Sequence, residues 1–468
     1  MDEALHIVGC SVAAMLDSGA RTNAENFTVI WNLEILPSGP IRADSLYEVI
    51  LMKILKLVWG VVGSALLLLC IPMAEAMTQE ITAVFRPNPS NPTNNKFINT
   101  TPVWGFCREE PGQCANLGLH SHLARINFTS SQPIQPNHTD VRKGAMFSLP
   151  SGWRTVRIVD SATGKSEEVS IRIAGVGAVY RLDVNPVELV GEEVDFIEAH
   201  RMLWGGHWNS PPQPCRNGLP HSQFYGVNGF GFFWHTPQQD FVCAKGAKYL
   251  IPALRYQNFN YTYELRTPDP LKMLSGMYTG SLTYSVGPGQ DFDMGDVMHP
   301  DDQTLTLNFN LEVDHAFRVE VPPGGNRVEL VPQEGWQSWL TTGSKPTRLF
   351  RDQTFHISAS SYFKMRLECQ HISGNTCAIA EAGSGHAVPV DVSVSLPDGL
   401  TDATGQPVNR RRLLLDGSGT ELFKPSFFVN RQRGLLHFEV GGQSVGEMLD
   451  NGAKAYTGNV TVIWDSEV

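Results

Sequence analysis

Short segments of this chain alternate strictly between apolar and polar residues, which is typical of half-buried β-strands. The longest such segment is 304–313, where every second residue is Leu, Phe or Val. The last is 460–464, in which Val460, Val462 and Trp464 share one face. The pattern therefore predicts a protein built from β-strands.

One sequence that is typical of a strand occurs twice. Residues 277–286 and 455–464 match at five of ten positions, either identically or by exchange of one aliphatic residue for another. The repetition predicts two β domains, the second of which is built around the strand near the end of the sequence. Such a strand either lies beside a finished sheet or leaves an open edge for another chain. The functional interpretation depends on which of these holds.

The spacing of strands and turns predicts the domain organisation. We expect a first β domain at 77–313, a linker at 314–316 and a second β domain at 317–468. Several short strands within about 150 residues, separated by Gly, Pro and Asn turns, are typical of an immunoglobulin-like sandwich. The predicted fold class is all-β, with two immunoglobulin-like β-sandwiches in tandem. Helix is expected to be scarce, with one turn at 445–449.

The first 76 residues look like a targeting segment and not like part of the fold. An apolar run at 57–71 follows two lysines and precedes Ala-Glu-Ala, so 52–76 is predicted to be a signal peptide that is cleaved after Ala76. The alternative is an uncut membrane anchor at 54–73, which is about 20 residues long. Because a signal should not begin at residue 52, we interpret 1–51 as an upstream extension from a mis-set translation start; a real cytoplasmic extension before an internal anchor is the alternative.

Six cysteines remain after processing, and an even number in an exported chain implies disulfides. Zinc is a poor alternative, because the cysteines form no C-x-x-C pair and no matched histidine pair accompanies them. Proximity along the sequence favours the pairs Cys107–Cys114, Cys215–Cys243 and Cys369–Cys377.

Composition excludes some functions without naming one. Apolar residues make up 42% of the 468 residues and charged residues 18%, as in a folded protein. The net charge of −11 argues against a nucleic-acid binder. The common catalytic, phosphate-binding and dinucleotide-binding motifs are not present. An acidic cluster at 192–198 and an Asp-rich loop at 291–296 are interpreted as solvated acidic residues, so neither a metal, a cofactor nor an enzyme is predicted.

Residues 201–235 combine many aromatic rings with glycine, and a cysteine of a predicted disulfide lies within them. Rings on such a loop can form a flat surface on which a sugar stacks, with polar neighbours that hydrogen-bond to it. For most of these rings, the favoured interpretation is that they fill the core of a β domain. The candidate receptor-binding residues are Arg201, Trp204, His207, Trp208 and Asn209.

Several segments resemble one known family. They are Ile81–Pro87, Phe363–Leu367 with Cys369 and Cys377, Val394–Pro397 with Gly405–Asn409, and Tyr456–Val462. Together with export and disulfides, they resemble chaperone–usher fimbrial proteins, and more narrowly the CblD-like pilus biogenesis initiators, which include the CfaE-type tip adhesins. The resemblance covers nearly the whole mature chain, strongly in 317–468 and loosely before it.

The resemblance implies an N-terminal adhesin domain and a C-terminal pilin domain that lacks one strand. A periplasmic chaperone would fill the resulting groove first, and a strand of the major pilin subunit would replace it at the outer-membrane usher, by β-augmentation. Val460, Val462 and Trp464 would border this groove. With no obvious donor strand ahead of its first domain, the chain would accept a strand without giving one, start assembly and lie at the fimbrial tip on the cell surface.

The leading hypothesis is a non-enzymatic tip adhesin and assembly initiator that binds a host-cell glycoconjugate. The region that would match the receptor-binding arginines of the best-known tip adhesins, 282–288, has no arginine, so a sialic-acid-type site does not carry over. One alternative is a secreted carbohydrate-active enzyme with accessory β modules. Another is a minor structural pilin that binds no receptor.

Overall fold

The computed structural model describes residues 77–218, 225–452 and 454–466. Contacts join these residues into one compact unit. The predicted upstream extension at 1–51 and the predicted signal peptide at 52–76 lie outside the described residues. Among the described residues, no helix is both long enough and apolar enough to cross a membrane.

We call residues 77–313 the first region. Its strands are β1 (Met77–Phe85), β2 (Ile98–Asn99), β3 (His120–Leu123), β4 (Phe128–Ser130), β5 (Ala145–Phe147), β6 (Arg154–Asp160), β7 (Ser166–Leu182), β8 (Arg216–Asn217), β9 (Tyr225–Gly226), β10 (Gly229–His235), β11 (Cys243–Lys245), β12 (Leu254–Arg266), β13 (Gly276–Ser285), β14 (Met298–Pro300) and β15 (Thr304–Val313). Its helices are α1 (Phe106–Glu109), α2 (Pro111–Leu117), α3 (Pro186–Val190) and α4 (Phe196–Leu203), with 3₁₀ turns at Val141–Lys143 and Pro270–Lys272.

We call residues 317–468 the second region. Its strands are β16 (Phe317–Glu320), β17 (Val331–Pro332), β18 (Leu349–Ala359), β19 (Lys364–Cys369), β20 (His371–Ser373), β21 (Thr376–Glu381), β22 (Ala387–Ser395), β23 (Leu400–Asp402), β24 (Arg411–Arg412), β25 (Phe423–Pro425), β26 (Val429–Val440), β27 (Tyr456–Thr457) and β28 (Val460–Asp465). Its helices are α5 (Gly335–Thr342) and α6 (Gly442–Asp450).

The first region is organised around β7, which pairs with β6, β10 and β12. The main path of its large sheet runs β14-β4-β12-β7-β6-β13-β15-β1-β2. Strand β1 runs parallel to β15 over nine residue pairs, from Met77 opposite Leu305 to Phe85 opposite Val313. Both strands alternate between apolar and polar residues, so the pairing places one face of each against the core.

The second region packs a large sheet against smaller ones. The large sheet runs β16-β18-β26-β22-β21-β20. Strands β19 and β28 form one two-stranded sheet, and β23 and β25 form another. The molecule is therefore all-β and consists of tandem β-sandwiches, which confirms the predicted fold class.

Two separate large cores lie on either side of the predicted linker. One draws its buried residues from 81–313, the other from 349–445. In β15 all five alternating apolar residues are at most 2% exposed, as the sequence pattern predicts. The domain boundaries at 314–316 stay a prediction.

The helices differ from the sequence prediction. The single turn expected at 445–449 is part of the nine-residue helix α6, in which Val445 is buried and Met448 and Leu449 pack beside it on the core. This i, i+3, i+4 spacing places one helix face on the sheet. Helix α5 was not predicted.

The three predicted disulfides are present in the structure. Cys107–Cys114, Cys215–Cys243 and Cys369–Cys377 have Cα–Cα distances of 5.5, 6.2 and 5.3 Å. Two of them close loops of the first region, and the third ties β19 to β21 in the second.

Candidate functional sites

Strand β28 has one paired edge and one free edge. It pairs antiparallel with β19 over six residues, from Val460 opposite Cys369 to Asp465 opposite Lys364. In the part of the chain that the structure describes, no strand pairs with the other edge. The free edge therefore presents backbone groups in the way that an edge strand does.

The register identifies which backbone groups face the free edge. The N–H groups of Met365 and Leu367 on β19 point away from β28 and donate to carbonyl groups in the loop 414–420, at 3.0 and 3.1 Å. Antiparallel strands alternate between residues whose N–H and C=O face the partner and residues whose groups face away. The residues opposite these two are Trp464 and Val462. Their N–H and C=O groups therefore point to the free edge.

The side chains of β28 face the second core. Val460, Val462 and Trp464 are partly buried against it, and the Trp464 ring lies 5.7 Å from the ring of Phe355. The three residues predicted to border a groove thus combine partly buried apolar side chains with an open backbone edge.

A cavity of about 700 Å³ lies next to the residues that lead into β28. One wall is the segment 326–330 and another is 456–459. Segment 326–330 forms no strand, although Val328 and Leu330 pack on the second core. The cavity is also lined by Leu349, Ile379, Val445, Met448 and Leu449. Arg327, Glu329 and Lys454 line it as well. A trough that combines these apolar side chains with the strand-free segment 326–330 can receive an extended strand.

Helix α5 contributes an aromatic wall to this cavity. Trp336 and Trp339 both line it, with their ring centroids 6.0 Å apart. No residue of α5 is buried, and Leu340 is 74% exposed. Large apolar side chains gathered at the surface in this way indicate a site for a partner. This wall was not predicted; the available signal in the sequence was two tryptophans three residues apart.

The prediction that Trp204 and Trp208 belong to a receptor-binding surface is wrong. Trp204 is 3% exposed and Trp208 is 1% exposed, so neither ring offers a face to a ligand. Trp208 packs against Tyr180 and Phe232 at centroid distances of 4.7 and 4.5 Å. These rings fill the core because strand β10 brings Phe230, Phe232 and Trp234 into the same interior.

The polar residues of that segment stay near the surface. Arg201 is exposed and forms an ion pair with Glu198, which raises the pKa of Arg201 and lowers that of Glu198. His207 and Asn209 are partly exposed. The carbonyl oxygen of His207 accepts a hydrogen bond from Lys245 Nζ at 2.7 Å. A receptor role for these three residues stays a prediction.

Most of the acidic residues singled out from the sequence have structural partners. Asp195 caps helix α4 by accepting a hydrogen bond from the Glu198 N–H at 2.9 Å. In the Asp-rich loop, Asp293 and Asp296 both pair with Arg142, and Asp291 pairs with Arg154. Across the described residues, no group of three or more His, Cys, Asp or Glu side chains is arranged to hold a metal ion.

No family model and no curated protein matches this chain. Solved structures that align with most of it include a chaperone–tip adhesin complex of CFA/I fimbriae, with 10% identity over 84% of this chain and 97% of that chain and a TM-score of 0.22. CfaE, the adhesive subunit of CFA/I fimbria of enterotoxigenic Escherichia coli, aligns with 10% identity over 83% and 92%, at a TM-score of 0.21. The CsuC–CsuE chaperone–tip adhesion subunit pre-assembly complex of Acinetobacter baumannii aligns with 9% identity over 84% and 99%, at 0.19. Scores this low support no conclusion about this chain, so its function is inferred below from its own residues.

Proposed function

We propose that this chain is a fimbrial tip adhesin and an initiator of pilus assembly. In this proposal the second region is a pilin domain that accepts a donor strand from the next pilin subunit, and the first region is an adhesin domain that binds a host-cell surface receptor. The observation that carries the proposal is the free edge of β28, since the residues that lead into this strand, 456–459, line a cavity with apolar side chains in its wall. Backbone hydrogen bonds along that edge would give affinity, and alternate side chains in the trough would give register.

A subunit that accepts a strand but gives none would keep β1 within its own chain. All nine residues of β1 pair with β15 inside the first region, and the Met77 N–H donates to Asp302 Oδ2 at 2.8 Å. A strand held in this way is not free to enter a neighbouring molecule. Such a subunit would start a fibre and lie at its tip.

The exposed apolar side chains of the trough also support the proposed partners. Before assembly, the trough and the tryptophans of α5 would be open to water, which favours aggregation. A periplasmic chaperone would cover them, and the major pilin subunit would replace the chaperone at the outer-membrane usher. The three disulfides fit export to an oxidising compartment and then to the cell surface.

We propose no enzymatic activity. Five of the acidic residues singled out from the sequence are engaged in a helix cap or in arginine pairs: Asp195, Glu198, Asp291, Asp293 and Asp296. A minor structural pilin without a receptor remains the alternative, and it differs only in whether the first region binds cells.

The test uses the exported chain, residues 77–468, and a synthetic peptide copied from β15, because β15 pairs with the first copy of the repeated strand. Saturating peptide should stabilise the second region by about 2.7 kcal/mol at one hundred times its Kd. The melting temperature should rise by about 5 °C. The control peptide has the same composition with its apolar residues placed consecutively. An equal effect of both peptides, or of neither, would contradict strand acceptance.

A further inference from the structure

We propose that a cleft beside Trp104 in the first region binds a carbohydrate. The inference rests on the receptor-binding part of the proposed function and is independent of strand acceptance. The cleft has a volume of about 560 Å³, which lies within the usual range for small-molecule sites. It lies between helix α1 and strands β7, β10 and β12. Its lining includes Trp104, Arg108, Glu109, Asn258 and Asn260, with Ala178 and Phe232 among the apolar residues.

Trp104 provides an aromatic face that is both exposed and held in place. Its side chain belongs to a residue that is 48% exposed. Its backbone is fixed by Ser121, whose carbonyl accepts from the Trp104 N–H at 3.4 Å and whose hydroxyl donates to the Trp104 carbonyl. The Arg108 guanidinium lies over the ring, 5.1 Å from its centroid. A fixed, exposed indole ring can stack against the C–H face of a sugar.

Two asparagines supply neutral hydrogen-bonding groups. The pairing of β12 with β7 shifts register between Gln257 and Asn260, and Asn258 has the left-handed φ of 51°. Such bulges redirect side chains and occur next to binding sites. Asn260 Nδ2 donates to the Asn258 carbonyl at 3.1 Å, whereas its Oδ1 is buried with no partner in the described residues. Asn258, which is exposed and also lines the cleft, carries an amide that can both donate to and accept from sugar hydroxyl groups.

The cleft is built on a rigid platform. Cys107 of helix α1 is joined to Cys114, and its N–H donates to Ser121 Oγ at 2.9 Å. Phe106 stacks on Phe233 of β10 at 3.9 Å. Gly105 has a φ of 70°, and a Cβ there would lie only 2.8 Å from Asn260 Cβ. Glycine thus allows the Trp104 loop to approach the bulge, and the preformed shape lowers the entropy cost of binding.

The mixture of groups favours a carbohydrate over a charged ligand. Arg108 and Glu109 carry opposite charges and are both exposed at the rim. The asparagine amides are neutral, and aromatic residues line the cleft beside them. Sugars combine one apolar face with hydroxyl groups that both donate and accept, which this arrangement matches.

The experiment uses the exported chain, residues 77–468, on an array of mammalian-type mono- to tetrasaccharides, and then saturation-transfer NMR with the bound saccharide. Trp104→Ala should weaken binding at least tenfold, and Trp104→Phe should retain most of it because the ring is kept. Asn260→Ala should also weaken binding. Ile98→Ala is the matched control, because Ile98 is exposed and lies outside the cleft. All variants are compared by melting temperature.

The inference is overturned if no saccharide binds, if Trp104→Ala binds as well as the parent chain, or if only peptides bind. Adherence to host cells separates this failure from failure of the proposed function. If the chain adheres but Trp104→Ala does not reduce adherence, the receptor site lies elsewhere, and Arg201→Ala with His207→Ala tests the predicted segment. If the chain does not adhere at all, the receptor-binding proposal itself fails.

Discussion

The sequence Tyr-Thr-Gly occurs at 278–280 and at 456–458, and in both copies the tyrosine and threonine pair with the end of a neighbouring strand. In the first, Tyr278 and Thr279 pair with the end of β6; in the second, Tyr456 and Thr457 pair with the end of β21. The glycine that follows lies against the neighbouring backbone in each case. A Cβ would be 2.5 Å from the Arg157 carbonyl oxygen at Gly280 and 2.8 Å from the Ala378 carbonyl oxygen at Gly458.

The strands opposite these tyrosines also end alike, in an acidic turn. Tyr278 lies opposite Asp160 and Tyr456 lies opposite Glu381. Hydrogen bonds from Thr163 lower the pKa of Asp160. Hydrogen bonds from Ser384 and Gly383 lower the pKa of Glu381 to about 2. The repeated sequence therefore specifies the same local structure twice. Each copy has a short strand pair, an acidic turn at the end of the opposite strand and a glycine packed against the neighbouring backbone.

The two copies differ in what lies beside the strand that follows. Strand β13 pairs with β15 over ten residues, and Tyr278 and Tyr284 are at most 1% exposed. Strand β28 pairs with β19 alone among the described residues, and none of its side chains is fully buried. Similar local sequences can therefore form a paired sheet edge or an open one, because the pairing of an edge depends on a strand that lies elsewhere in sequence.

The largest expected effect on the free energy of unfolding comes from proline substitutions that remove N–H groups at either edge of β28. Ile463→Pro would remove an N–H that faces β19 and should destabilise the second region by roughly 3 kcal/mol or more. Val462→Pro would remove an N–H that faces the free edge, which an edge strand tolerates, so the cost should stay within about 1 kcal/mol. Urea denaturation of both variants measures the difference.

The same pair separates stability from strand acceptance. Val462→Pro should abolish the stabilisation by the β15 peptide although the chain still folds. If Ile463→Pro and Val462→Pro cost the same free energy of unfolding, the assigned orientation of the two edges is wrong.

The next largest effect is expected at the close glycine of β28. Gly458→Ala should cost about 1–3 kcal/mol, because the new methyl group meets a backbone carbonyl that cannot move freely. Gly446→Ala in helix α6 is the matched control, since no atom lies within 4 Å of its added Cβ. That change should be stabilising by up to about 1 kcal/mol. Equal free energies of unfolding for the two variants would contradict the close contact.

A lower pH should reduce the stability of the protein, mainly through histidines of the first region. Burial lowers the pKa of His120, His122, His200 and His235 below the ordinary value near 6.5. Above pH 6.5 these groups are neutral in both states. Below it the unfolded chain binds protons that the folded chain does not, so stability should fall as the pH decreases from 6.5. Urea denaturation at pH 7.5 and 5.5 measures this; unchanged or greater stability at pH 5.5 would contradict it.

The smallest effect on stability is expected in helix α5. Trp336 is 39% exposed, so Trp336→Ala should change the free energy of unfolding by no more than about 0.5 kcal/mol. It should nevertheless weaken binding of the β15 peptide, because the ring lines the cavity. Isothermal titration gives the Kd for comparison with Leu250→Ala, an exposed apolar residue away from the cavity. A Kd equal to that of the control would exclude α5 from the site.

Sequence alone predicted the features that depend on local pattern. Alternation identified β15 and β28, and cysteine order identified the disulfides. Most rings of the segment 201–235 were expected in the core, but the burial of Trp204 and Trp208 was not, because a glycine-rich aromatic segment has the same composition on a surface and in a core. Only the distant Tyr180 and the rings of β10 place them inside. The Trp104 cleft was missed because it depends on a bulge between two strands that alternation does not report.

Amide hydrogen exchange along β28 tests the open edge most directly. In residues 77–468 alone, the amides of Val462 and Trp464 should exchange rapidly, whereas that of Ile463 should be protected by its bond to β19. Saturating β15 peptide should protect all three, and the control peptide should protect none beyond Ile463. Protection of Val462 and Trp464 in the chain alone, equal to that of Ile463, would show that the edge is already closed and would contradict strand acceptance.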